Sequence, residues 1–87
     1  MTPVEIAVEA AGWVGALAIL VSYLLVSTGR LSGQSMLFQT MNMVGAIGFI
    51  INSAWHGALP STVLNIIWLG IALATLFHLW TKRARRS

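Results

Sequence analysis

Between Arg30 and Lys82 the chain contains no Asp, Glu, Lys or Arg. That uncharged stretch covers more than half of the 87 residues, and it decides which solvent the fold can face. A small water-soluble domain buries only roughly 60% of the surface its unfolded chain exposes, so much of such a stretch would stand in water. Charged residues make up 8% of the chain, against about 25% in an ordinary soluble domain. A soluble globular fold is excluded, and membrane lipid is the expected partner. The pI near 10.8 does not point to nucleic acid. Four of the five Lys and Arg residues sit at 82–87 with no basic face behind them, where charge flanks a membrane span. No nucleic-acid partner is expected. The absence of cysteine removes disulfides, thiolate chemistry and Cys-based metal sites. The first ten residues hold two Glu and no Lys or Arg, the reverse of a basic leader region, so no cleavable signal is expected.

A helix that crosses a bilayer needs about 20 mostly apolar residues. Three segments qualify, at about 6–27, 36–55 and 61–80. Residues 28–35 carry the Gly and Ser of a loop. In the second connection, 56–60, Pro60 pre-sets a helix start or Ser61 caps it. The runs are too long for strands. The expected fold class is an all-α membrane protein, with a single three-helix transmembrane domain over 1–81 and a basic cytoplasmic tail at 82–87. Three spans place the first connection and the C-terminus on one side. All five basic residues fall there, while Glu5 and Glu9 lie near the other side. The positive-inside bias then predicts the N-terminus outside and the C-terminus in the cytoplasm.

Polar side chains inside the spans need an account, because the hydrocarbon core offers them no water. The second span carries Gln39, Asn42 and Asn52, and the third carries Asn65. At a helical period Asn42, Gly45, Phe49 and Asn52 share a face, as do Asn65 and Trp68. Two readings stay open. The amides bond between helices, worth ~0.6 to 2 kcal/mol each, or they line a wet pathway. Counted at about 1.5 Å per residue, Trp13, Phe49 and Asn65 lie roughly 6 to 11 Å inward from the outer ends, with Trp68 slightly deeper. Aromatic faces beside a few amides suit a small neutral polar solute. Asn65, Phe49, Trp68, Asn52, Asn42 and Trp13 are therefore the candidate substrate-binding residues, with Ser22 and Tyr23 as a candidate inner gate. Trp55 and Trp80 sit where interfacial anchors are expected. Gly12 with Ala16, Ala11 with Gly15, and Gly45 with Gly48 have the spacing of close helix approach.

Catalysis is not expected. His56 and His78 stand about a membrane thickness apart, and no triad, paired carboxylate or phosphate-cradling loop can be assembled. No cofactor and no metal are expected. Glu9, one turn into the first span, is the single acid that could serve a proton-coupled carrier. With the aromatic residues it could form a cage for cationic or amphipathic compounds.

The segment Leu59-Pro60-Ser61-Thr62-Val63-Leu64-Asn65 opens the third span with Leu-Pro and places an Asn five residues after the Pro. Ser35 ends the first connection, Gly45 lies mid-span, and Ser22-Tyr23-Leu24 is similar to a Ser-Phe-Leu motif. With three spans and a basic C-terminus, the chain resembles the SemiSWEET family, small bacterial members of the MtN3/PQ-loop sugar-transporter group, over nearly its whole length. The resemblance implies a bacterial inner-membrane protein. It also implies a parallel homodimer forming a six-helix unit around one pathway, with alternating access for small neutral sugars. It implies substrate contact by Asn65 and by Phe49, where the family has a Trp. The family's Pro-Gln pair is replaced by Leu25-Val26, so the bend a Pro introduces is missing. Two other functions fit the residues: a non-transporting accessory or regulatory membrane protein, and an efflux carrier for cationic or amphipathic compounds using Glu9.

Overall fold

The computed structural model describes residues 1–86, with side chains through Arg83. It contains three helices, α1 (Pro3–Ser27), α2 (Met36–Trp55) and α3 (Leu59–Arg86). All three are long and apolar enough to cross a membrane, so the chain is a multi-pass membrane protein. One end of the molecule carries Glu5, Glu9 and the α2–α3 turn. The other carries Arg30, Lys82 and Arg83. These are called the acidic and basic ends below.

Each helix boundary follows from local chemistry. α1 begins at Pro3, three residues before the apolar run, because Thr2 caps it. The Thr2 Oγ1 accepts from the Glu5 amide at 3.1 Å and donates to the Glu5 carboxylate at 3.2 Å, an N-cap with Pro at the first helical position. α1 ends in a Schellman turn. Gly29 takes φ +76°, and the Arg30 and Gly29 amides donate to the carbonyls of Leu25 and Val26. α2 is capped by Ser35, which accepts from the Phe38 amide. It ends the same way as α1, with Gly57 at φ +70° and the Ala58 and Gly57 amides donating to Ser53 and Ala54. α3 starts at Leu59, not Ser61. Pro60 lies in its first turn and Ser61 is already helical, so Pro60 opens the helix and Ser61 does not cap it. The basic tail at 82–87 follows the third span, and α3 continues through it to Arg86. Lys, Arg and Ala are good helix formers, and their cations suit a helix C-terminus. The side chains of Arg85 and Arg86, and Ser87 as a whole, lie outside the described residues.

Helix α2 is the centre of the packing. It touches α1 and α3 along their lengths, whereas among the described residues α1 and α3 have no Cα atoms within 8 Å of each other. Most buried positions are small: Gly15 and Ser22 on α1, Gly45, Ala46, Gly48 and Ser53 on α2, and Ala72 on α3, with Val8, Asn42 and Asn65 the larger ones. Val8, Gly15 and Ser22 stand seven apart, a stripe that faces α2 down the whole of α1. The large apolar side chains point away. Leu17, Leu20, Leu24, Ile47, Ile51, Leu64, Ile67 and Leu73 are all exposed. That arrangement has no driving force in water but is the expected one in lipid. There, backbones approach through small residues and bulky side chains meet acyl chains.

The α1–α2 crossing is the tightest part. A Cβ added at Gly48 would run into the Ala11 carbonyl oxygen, and one at Gly15 would stand 2.8 Å from the Gly45 carbonyl oxygen. At Gly45 an added Cβ would meet the Ile19 side chain. The small-residue spacings of both spans are therefore used for helix contact.

Candidate functional site

The candidate substrate residues do not all converge within one protomer. Trp13, Phe49 and Asn52 do. With Glu9, Gly12 and Ala16 they line an open groove of about 300 Å³ between α1 and α2, near the acidic end. On α1 the residues recur at 9, 12, 13 and 16, one helical face. Gly12 and Ala16 leave its floor low, while Glu9 and Trp13, four apart, stand one turn above the other along α1. Phe49 and Asn52, three apart, supply the α2 wall. Trp13 is 69% exposed and so makes little contact within the protomer.

Asn52 both ties the helices and lines this groove. Its Nδ2 donates to the Val8 carbonyl oxygen at 3.1 Å. A Cβ at Gly12 would stand 2.7 Å from that same nitrogen, so glycine at 12 makes the tie possible. The Asn52 backbone carbonyl meanwhile accepts from the His56 amide at 3.2 Å and lies 2.8 Å from His56 Nδ1. The interhelical reading of an intramembrane amide thus applies to Asn52, at a site that also faces open space.

The remaining candidates lie elsewhere. Asn65 is buried, and its Nδ2 donates to the Ser61 carbonyl oxygen of its own helix at 2.8 Å. Trp68 lines a shallow apolar hollow with Leu64, Ile67 and Ile71 on the outer side of α3. Asn42 is buried on α2, ten residues and so about 15 Å along the axis from Asn52. Ser22 is buried, with its Oγ donating to the Ile19 carbonyl oxygen at 2.8 Å, while the adjacent Tyr23 is 69% exposed. The two expected gate residues therefore face different surroundings. Gln39 reaches back to the connection, donating to the Gly33 carbonyl oxygen at 3.0 Å.

One contact has no counterpart among the sequence expectations. Ser53 Oγ and Thr62 Oγ1 lie 2.8 Å apart, joining α2 to α3. Each also lies within reach of a carbonyl, Phe49 for Ser53 and Ala58 of the turn for Thr62. The hydroxyl that donates across spends its single proton there. The two hydroxyls stand at similar distances either side of the Gly57 turn, and that symmetry about a short turn was the available signal. Among the described residues no three His, Cys, Asp or Glu side chains come together as a metal site would require.

The charge pattern of the groove is one-sided. Glu9 lines both the groove and an adjoining cleft at the acidic end, where the Met1 amino group, Glu5 and His56 are its titratable neighbours. Every Lys and Arg belongs to the basic end. The arrangement can accept hydrogen bonds, offer aromatic faces and seat positive charge.

No curated protein and no solved structure shows significant similarity to the chain. A family model matches residues 8–83, from within α1 through most of α3, and the chain belongs to that family, whose function is unknown.

Proposed function

We propose that the protein is a small membrane transporter that moves a small polar organic solute by alternating access. It works as a parallel homodimer of the SemiSWEET type, with the N-terminus outside and the C-terminus inside. The observation that carries this reading is the groove of Glu9, Trp13, Phe49 and Asn52. It gathers the polar and aromatic side chains of two spans on an open flank, which a second copy in the same orientation would turn into a lined passage. The SemiSWEET resemblance supports the same assembly. Its expected α3 contact, Asn65, gives one hydrogen to the Ser61 carbonyl and lies outside the α1–α2 groove, so the solute contact proposed within one protomer is on the α1–α2 side. The basic residues at one end support the orientation through the positive-inside bias. The family's Pro is absent from α1, so the opening and closing motion is assigned to sliding at the glycine crossing rather than to a bend. No reaction is assigned.

The test is uptake into liposomes containing the purified protein, over a panel of sugars, amino acids and quaternary amines. The reading expects one class to enter faster than into empty liposomes. Entry of none would overturn it. The Asn52–Val8 and Ser53–Thr62 bonds favour a second reading, in which the polar residues only hold the bundle together and the protein serves as a non-transporting accessory or regulator. Under that reading no solute enters, while Asn52→Ala still lowers the melting temperature.

A further inference from the structure

We infer that the α1–α2 groove takes an organic cation, with its positive charge at Glu9 and its apolar substituents against the rings of Trp13 and Phe49. This rests on the carrier reading and adds to it the class of solute.

Three observations converge. First, the groove holds a carboxylate and no basic side chain, and all five Lys and Arg residues lie at the far end of the molecule. Glu9 stands three residues past Ile6, where the apolar run begins, roughly 4.5 Å into the span. A carboxylate one turn inside a span gains from a partner of opposite charge. A bound cation supplies one. Second, Trp13 and Phe49 bring two aromatic faces to the same space, and such faces attract cations most strongly where water is scarce. Third, the one formal charge in the groove is negative. Asn52 spends one Nδ2 hydrogen on the Val8 carbonyl and keeps its Oδ1 and a second hydrogen, Trp13 adds an indole donor, and Glu9 adds a carboxylate. That inventory bonds donors and acceptors alike, and its charge favours a cation and repels an anion.

The adjoining cleft is mixed in charge. Glu5 lines it with Glu9, and so does Met1 with its amino group, while His56 is held at the Asn52 carbonyl. A volume of about 300 Å³ on an open flank admits a bulky head, with Gly12 and Ala16 leaving room beneath it. A neutral sugar would use Asn52 and the rings but would leave Glu9 without a counter-charge.

The test is calorimetric titration of the protein in lipid nanodiscs with tetraphenylphosphonium, beside triphenylphosphine oxide, a neutral molecule of related shape. Saturable cation binding is expected, weaker for the neutral molecule by at least about tenfold and weakened by a similar factor in Glu9→Gln and in Trp13→Leu. Glu5→Gln, outside the groove, is expected to change affinity less than about twofold, since it acts only through screened potential. Equal binding of the neutral molecule, or unchanged affinity in a folded Glu9→Gln, would overturn the inference. Should Glu9→Gln fail to fold, Trp13→Leu at its exposed position decides the matter alone. Absence of cation binding together with sugar uptake by the same preparation overturns the cation assignment and leaves the carrier. Absence of both overturns both.

Discussion

Asn52 sits where a side chain at position 12 would have to go, so glycine and amide form one unit. The amide reaches the Val8 carbonyl only because Gly12 has no Cβ, and the bond in turn fixes the α1–α2 spacing beside the groove. Two predictions belong at this scale. Asn52→Ala should lower stability by about 0.6 to 2 kcal/mol, the range of interhelical hydrogen bonds in lipid, read as a drop in thermal midpoint in detergent. Gly48→Val should cost more, roughly 1 to 3 kcal/mol, the range for overpacked cores. Its new Cβ would meet the Ala11 carbonyl, a backbone atom that cannot swing aside. Residue by residue, the sequence was a partial guide. It marked Trp13, Phe49 and Asn52 as binding candidates but grouped them with Asn65 and Trp68. A shared helical face and a similar depth do not reveal which neighbour that face meets. Asn65 gives one hydrogen to a carbonyl of its own helix and keeps its second hydrogen and Oδ1, a division that no spacing rule reveals.

At the scale of the element, the helix ends are local and were the more legible part. Gly29 and Gly57 both take positive φ and close Schellman turns, and both fall in the loops expected from composition. Gly57→Ala should therefore destabilise by roughly 1 kcal/mol, because a Cβ is disfavoured in left-handed backbone. The effect should show as faster amide exchange at the C-terminal turn of α2. α1 begins before the apolar run at Ile6, because the Thr2-Pro3-Val4-Glu5 capping signal precedes it. α3 likewise outlasts its apolar run. Charge ends a hydropathy run, yet Lys and Arg do not end a helix. The Ser53–Thr62 tie joins two elements across the turn. A double-mutant cycle with Ser53→Ala and Thr62→Val should give a coupling of about 0.6 kcal/mol, near the average for such pairs in membranes. Zero coupling would remove the tie from the account.

The whole molecule is a row of three helices with small residues inside and bulky apolar ones outside, 49 Å in its longest dimension. Hydropathy and length were sufficient to read the three spans. They were not sufficient to read that α2 stands between α1 and α3, because pairwise helix choice depends on which small residues face each other. The orientation prediction is direct in a chain without cysteine. A cysteine introduced at Gly33 should react with an impermeant thiol reagent only from the cytoplasmic side, and one at His56 only from outside. The reverse pattern would invert the topology. The groove's role is tested most directly at Trp13, which is 69% exposed and so contributes little to the protomer's own packing. Uptake by liposomes bearing Trp13→Ala should fall to the level of empty liposomes, with a melting shift worth less than about 0.5 kcal/mol, as for a surface substitution. Uptake at the wild-type rate in that variant would contradict the placement of the solute between α1 and α2.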